Sequence, residues 1–193
     1  MARQLSTVCC VIIGAIILLP EAHSRAHQTT YDAQRELQLH KRYYLQYRSN
    51  RDDHAVRDAA YCVSLLVMRS LFGVTDAILY YKQTLQGPLN HKQVKIRTHK
   101  APGSRSTVDN MMRITDDSTG SQLYDQTLQY TDYSNCRVLV QQFGQSRECS
   151  LWLSPERRRG PIPPACSRAY TDICGERRHH IRIMGRLDPL ILK

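Results

Sequence analysis

The sequence predicts a mainly β fold: an eight-stranded antiparallel β-barrel with a short N-terminal helix and a C-terminal helix packed outside, stapled by disulfides. Three observations predict it. Eight strand-length segments follow one another at short spacing between turn-forming clusters. Cysteines sit on the last of these segments and again on a proline-started helical stretch. The chain opens on a leader that would deliver those cysteines to an oxidising compartment, where they pair.

The leader is read from Arg3, a positive start, and from the apolar run Val8 to Leu19, broken by Gly14 and ended by Pro20. Such a run is too short to span a bilayer and has signal-peptide proportions. Small residues at Ala22-His23-Ser24, and again at Ser24-Arg25-Ala26, offer cleavage sites. The expectation is a signal peptide over residues 1–24, a secreted, extracellular ligand-binding domain over 25–193, and a monomer. A membrane anchor or a buried core helix is the competing reading of the run, but nothing apolar of sufficient length follows it. The leader carries one Arg and one Glu, so the formal charge of +10 survives its removal. Cys62, Cys136, Cys149, Cys166 and Cys174 remain, an odd number that leaves one thiol over or links two chains. No Asn-x-Ser/Thr acceptor for N-linked glycan occurs.

In chain order, a helix is expected from about Thr30 to His40, with Leu37 and few other apolar residues to bury. The strand segments are Tyr43 to Arg48, Ala60 to Met68, Val74 to Lys82, Gln93 to Thr98, Asn110 to Thr115, Leu123 to Tyr130, Cys136 to Phe143 and Glu148 to Leu153. Gly87-Pro88, Ala101-Pro102-Gly103 and Ser118-Thr119-Gly120 break them into a meander. The alternation of Val94, Ile96 and Thr98 with Lys95, Arg97 and His99 marks a half-buried strand. Eight strands can close into an up-and-down barrel, which removes the exposed edges and leaves room for one small ligand.

A second helix is expected from Pro164 to about Ile173, because Pro is tolerated in a first turn and Gly175 stands where a C-terminal cap is wanted. Cys166 and Cys174 lie eight residues apart, about 80° beyond two full turns. Both sulfurs can therefore reach the barrel on one side, which favours staples to Cys136 and Cys149 over a mutual bond. A Cys136–Cys166 bridge would close a loop of about 30 residues and contribute about 3–4 kcal/mol in the chain-entropy account. Zinc is the competing reading of four thiols. It is opposed by the absence of any Cys-x-x-Cys pair and by the oxidising compartment, so no metal and no cofactor are expected.

At these residues the sequence resembles the tick histamine-binding lipocalins, secreted salivary proteins that capture host mediators within an eight-stranded barrel. The resemblance runs from Asp32-Ala33-Gln34 through Tyr43-Tyr44-Leu45, Ser49-Asn50-Arg51-Asp52-Asp53 and Cys62-Val63. It continues at Tyr130-Thr131-Asp132, Cys136-Arg137-Val138-Leu139, Ser150-Leu151-Trp152 and Cys166. It implies a secreted binder of a biogenic amine such as histamine that suppresses host defence by equilibrium sequestration. It also implies Cys136–Cys166 as the family-like disulfide and Cys149–Cys174 as an additional one. The family commonly joins its second-strand cysteine, here Cys62, to one close to the C-terminus. None stands there in this sequence, so Cys62 is expected to remain a thiol, to link two chains, or to mark an altered C-terminal end.

The family's amine signature is Cys-Asp-Val/Ile/Leu, a spacer, Glu-Leu-Trp/Tyr, a spacer, and Cys. The spacers fit, but Arg137 stands at the Asp position and Ser150 at the Glu position. Trp152 keeps the aromatic and Asp53 one acid after the first strand, while Val56 replaces the aromatic beyond it. An inward Arg137 would oppose an amine, since like charges about 4 Å apart cost about 4 kcal/mol at an effective dielectric of 20. An anionic or lipid ligand such as an eicosanoid would then be favoured. Glu148, Asp125, Asp132 and Asp76 are further acids in or beside strands, which alternation alone leaves on either face. Tyr44, Tyr130 and Trp152 are the expected wall residues, because aromatic faces accept a cation or an apolar chain.

The basic runs Arg157-Arg158-Arg159 and Arg177-Arg178-His179-His180 flank the second helix and could hold a polyanion, although such runs are commonly just solvated. Catalysis has no support: there is no Gly-x-Ser-x-Gly, no His-Glu-x-x-His and no phosphate-binding glycine loop. The reading is therefore a non-enzymatic ligand binder, with a cationic scaffold acting through its outer surface as the alternative.

Overall fold

The computed structural model describes residues 30–51, 60–143 and 146–181. Residues 1–24, expected from sequence to be a signal peptide, and Asp53 and Val56 lie outside them. Eight strands run antiparallel to their neighbours: β1 (Arg42–Arg48), β2 (Tyr61–Leu71), β3 (Val74–Lys82), β4 (Asn90–His99), β5 (Met111–Asp116), β6 (Gln122–Thr131), β7 (Cys136–Phe143) and β8 (Ser146–Leu153). Pairing of β1 with both β8 and β2 closes the barrel. A two-residue strand, β9 (His179–His180), adds to the outer end of β1 and was not expected from sequence.

Alternation sorts each strand into an inner and an outer face. Val63, Leu65 and Val67 of β2, Ala77 and Leu79 of β3, Val94 and Ile96 of β4, and Met112 and Ile114 of β5 form the buried interior. In β1 the register shifts between Leu45 and Tyr47. Without that bulge Tyr43, Leu45 and Tyr47 would share a face. With it, Tyr43 and Leu45 join the interior while Tyr47 joins the outer layer.

The N-terminal helix, α1 (Ala33–Leu37), is shorter than expected and closes one end of the barrel. Asp32 caps it by accepting the Arg35 N–H at 3.0 Å. Its buried face is Ala33, Glu36 and Leu37, the i, i+3, i+4 set. The Ala33 N–H donates to the Asp109 carbonyl (2.7 Å), Thr98 Oγ1 to Gln34 Oε1 (3.0 Å), and Thr131 Oγ1 to Glu36 Oε2 (2.8 Å).

Outside the barrel, α2 (Pro164–Cys174) lies across β7 and β8. Cys166 and Tyr170 pack against Tyr47, Val138, Val140, Leu151 and Leu153. The disulfides Cys136–Cys166 and Cys149–Cys174 pin this layer, with Cα atoms 6.2 and 6.0 Å apart. Cys62 takes part in neither, and sits half-buried in β2 at φ +53°. Tyr170 stands edge-on to Tyr47 at 4.6 Å and donates its hydroxyl to the Arg177 carbonyl at 3.0 Å. Burial pushes its phenol up to about 12. Helix α2 ends at Gly175, whose φ of +75° few other residues adopt without strain.

Candidate ligand site in the barrel interior

The inner faces of β7 and β8 follow from the outer ones. Cys136 and Cys149 must face α2 to form their bridges, and with a side-chain period of two the next residues, Arg137 and Ser150, face inward. Arg137 is fully buried. Its guanidinium carbon lies 4.0 Å from the ring centre of Tyr43 and 5.6 Å from that of Trp152. None of its three nitrogens makes a hydrogen bond with a described residue. Burial lowers its pKa from the ordinary guanidinium value, opposed by the proximity of Tyr43, Glu36 and Tyr124.

Beneath Arg137, at the closed end, Glu36 is 1% exposed and its carboxylate lies close enough to the Tyr43 hydroxyl to act on it, while neither Glu36 Oε1 nor that hydroxyl reaches full hydrogen-bond geometry with a described residue. Burial raises the Tyr43 phenol well above its usual range, only partly offset by the Arg137 charge. The closed half of the barrel thus holds a cluster of buried polar atoms, the three Arg137 nitrogens foremost, that have no hydrogen bond to a described residue.

Toward the open end lies a cavity of about 30 Å³ lined by Leu45, Leu79, Tyr124, Gln141, Ser150 and Trp152, with Arg48, Asn50 and Glu148 at its mouth. The Trp152 indole donates to Ser150 Oγ at 2.9 Å. Asn50 donates its side-chain amide to Glu148. A space of this size holds one or two waters, against about 300–1,000 Å³ for a small-molecule pocket. Around this space the interior is filled by its own side chains, whereas a wider cavity of about 460 Å³ that shares Arg48 with it is lined by Arg51, Ala60, Tyr61, Arg178 and Ile181.

Of the residues singled out from sequence, Arg137, Ser150 and Trp152 come together here. Tyr44 and Tyr130 do not, which corrects their assignment as wall residues. Tyr44 alternates with the inward Tyr43 and lies outside under the Arg158 guanidinium, 4.7 Å from its ring centre. Tyr130 packs on the outer layer, edge-on to Tyr31 at 5.5 Å. Asp53 lies outside the described residues. Among the acids, Glu148 faces the cavity, Asp76 and Asp125 form ion pairs on the outer surface, and Asp132 closes the β6–β7 turn.

Sequence reasoning missed Tyr43 and Glu36. A usable signal existed for Glu36: it shares a helical stripe with Ala33 and Leu37, the apolar residues of its short helix.

The arginines of the basic runs have different surroundings. Arg158 is buried over Tyr44, Arg157 donates to Asn135 Oδ1 at 2.7 Å, and Arg178 covers Tyr47 and Tyr170 at 5.2 and 5.8 Å. Arg159 and Arg177 are exposed. Arg158 and Arg178 thus act as covers for aromatic rings.

Comparison with known proteins places this geometry. A family model described as tick histamine binding protein matches residues 21–183. Japanin from Rhipicephalus appendiculatus, solved bound to cholesterol, superposes with a TM-score of 0.56 at 17% identity, covering 76% of this chain and 95% of that one. The AM182 serotonin complex gives 0.57 at 15% identity, covering 80% and 91%. The LTBP1 complex with LTC4 gives 0.50 at 14%, covering 80% and 88%. No curated protein matches. At such identities the structural likeness establishes the lipocalin-type barrel and no more.

Proposed function

Because the chain belongs to the tick histamine-binding protein family, whose fold is that of a lipocalin-type small-ligand binder, we propose that it sequesters an anionic amphiphile by equilibrium binding, without chemistry. The reading rests on one observation: Arg137, inside the barrel, with three nitrogens that make no hydrogen bond to a described residue. A carboxylate offers the bidentate acceptor that a guanidinium matches best. A protonated amine would meet a cation already lying on the Tyr43 and Trp152 rings that could otherwise receive it. An acidic lipid mediator of the eicosanoid class fits this chemistry. Secretion through the 1–24 leader, and competition with host receptors for the mediator, complete the proposal.

Calorimetry with histamine, serotonin and a leukotriene tests it. Leukotriene binding that weakens at least tenfold in Arg137→Gln supports the reading. Micromolar histamine binding, or leukotriene affinity indifferent to Arg137→Gln, sinks it. Trp152 is the one tryptophan of the chain and lines the cavity, so its fluorescence should change on binding. The small cavity favours a second reading, a cationic scaffold with a closed pocket that acts through its outer surface. Silence with all three ligands would select that one.

A further inference from the structure

At the closed end of the barrel, opposite the cavity mouth, the β2–β3 hairpin turns through Phe72 and Gly73. Leu71 pairs with Val74, and both turn residues have positive φ, +50° and +76°. A two-residue turn of this kind is normally built from Asn, Asp or Gly, because left-handed backbone strains a bulky side chain. Phe72 is moreover 100% exposed, beside Leu71 at 52% and Met68 at 41%. Strained backbone and an apolar ring in water are both unfavourable, and no described residue covers the ring to offset either. Such an outlier points to a partner outside the chain.

The surroundings of the tip specify that partner. Val74 lies opposite Arg97 on β4, and the β4–β5 connection at the same end carries Lys100 and Arg105. All three cations are exposed, and their side chains make no hydrogen bond or ion pair with any described residue. The neighbouring acids are occupied: Asp76 binds Arg69 and Lys95, and Asp109 accepts from Thr98. An apolar tip ringed by uncompensated cations, on a chain of net charge +10, matches the headgroup boundary of an anionic membrane.

We propose that the Leu71-Phe72 hairpin tip inserts into anionic lipid surfaces, with Arg97, Lys100 and Arg105 contacting the headgroups. The cavity mouth then faces the aqueous phase, so docking and ligand capture are compatible.

Flotation of the protein, expressed from the full chain, with vesicles of equal parts phosphatidylserine and phosphatidylcholine tests this. Wild type should float with these vesicles and not with phosphatidylcholine alone. Phe72→Asn suits left-handed backbone, so its thermal midpoint should hold or rise while its partitioning falls about tenfold. Glutamine at Arg97, Lys100 or Arg105 should each weaken binding about fivefold at low salt. Equal flotation of wild type and Phe72→Asn, or equal binding to both vesicle types, overturns the proposal. So does self-association in size-exclusion that Phe72→Asn abolishes without any vesicle binding, which would assign the tip to a second copy of the chain.

Discussion

The two faces of strands β7 and β8 were built from the same sixteen-odd residues and do opposite things. Outward, Cys136, Val138, Val140, Cys149, Leu151 and Leu153 are apolar or sulfur-bridged and lie under α2. Inward, Leu139 joins the apolar core while Arg137, Gln141, Glu148, Ser150 and Trp152 are polar or amphipathic, and Arg137, fully buried, has no hydrogen bond to a described residue. Strand alternation lets the outer face stabilise the wall while the inner face tolerates an unfavourable group. The comparison teaches that the disulfides and the candidate site are coupled by geometry: whatever fixes Cys136 outward fixes Arg137 inward.

Breaking the outer face should have the largest effect. Cys136→Ala with Cys166→Ala should lower unfolding free energy by about 3–4 kcal/mol, measured by thermal or denaturant unfolding. The second bridge spans 25 residues against 30. Its removal should cost nearly the same, within about 0.2 kcal/mol on loop length alone; a wide gap would show that strain or residual unfolded structure dominates. On the inner face the sign reverses. Arg137→Met should raise stability by about 1 kcal/mol, because an unpaired buried charge costs more than its ring contacts recover, while anionic ligand binding is lost in calorimetry. A destabilised Arg137→Met would mean that Glu36 depends on the guanidinium despite their lack of a direct bond.

Smaller effects sharpen the contrast. Tyr170→Phe removes the hydrogen bond to the Arg177 carbonyl at the foot of α2 and should cost about 1 kcal/mol in unfolding without touching ligand affinity. At the β6–β7 turn that leads into both faces, Asp132 is partly desolvated, which raises its pKa. The Asn135 side-chain amide and the N–H groups of Cys136, Asn135 and Ser134 outweigh this and hold it below the usual carboxylate range. A depressed folded pKa contributes stability above about pH 4 that is lost as pH falls through the folded value. An acid titration followed by circular dichroism should therefore show less acid sensitivity in Asp132→Asn than in wild type.

The eight strands were legible because alternation and turn residues repeat locally, and the observed limits fall within a few residues of those expected. The strand β9 was not, since two histidines carry no periodic signal and only docking on β1 orders them. Within the site, Trp152 and Ser150 were found by their motif, whereas Tyr44 was chosen over Tyr43 because neighbouring tyrosines look alike until a register places them. Glu36 was missed for a different reason: a carboxylate on a short helix reads as solvated until the helix is seen capping a barrel.

What the residues alone determined was the eight long strands and two helices, the barrel class and the pairing logic of cysteines eight apart on one helix. Tertiary closure decided which face each strand turns inward and that a guanidinium lies against the Tyr43 and Trp152 rings. The reason is that periodicity is a local property, but inside and outside exist only once β1 has met both β2 and β8.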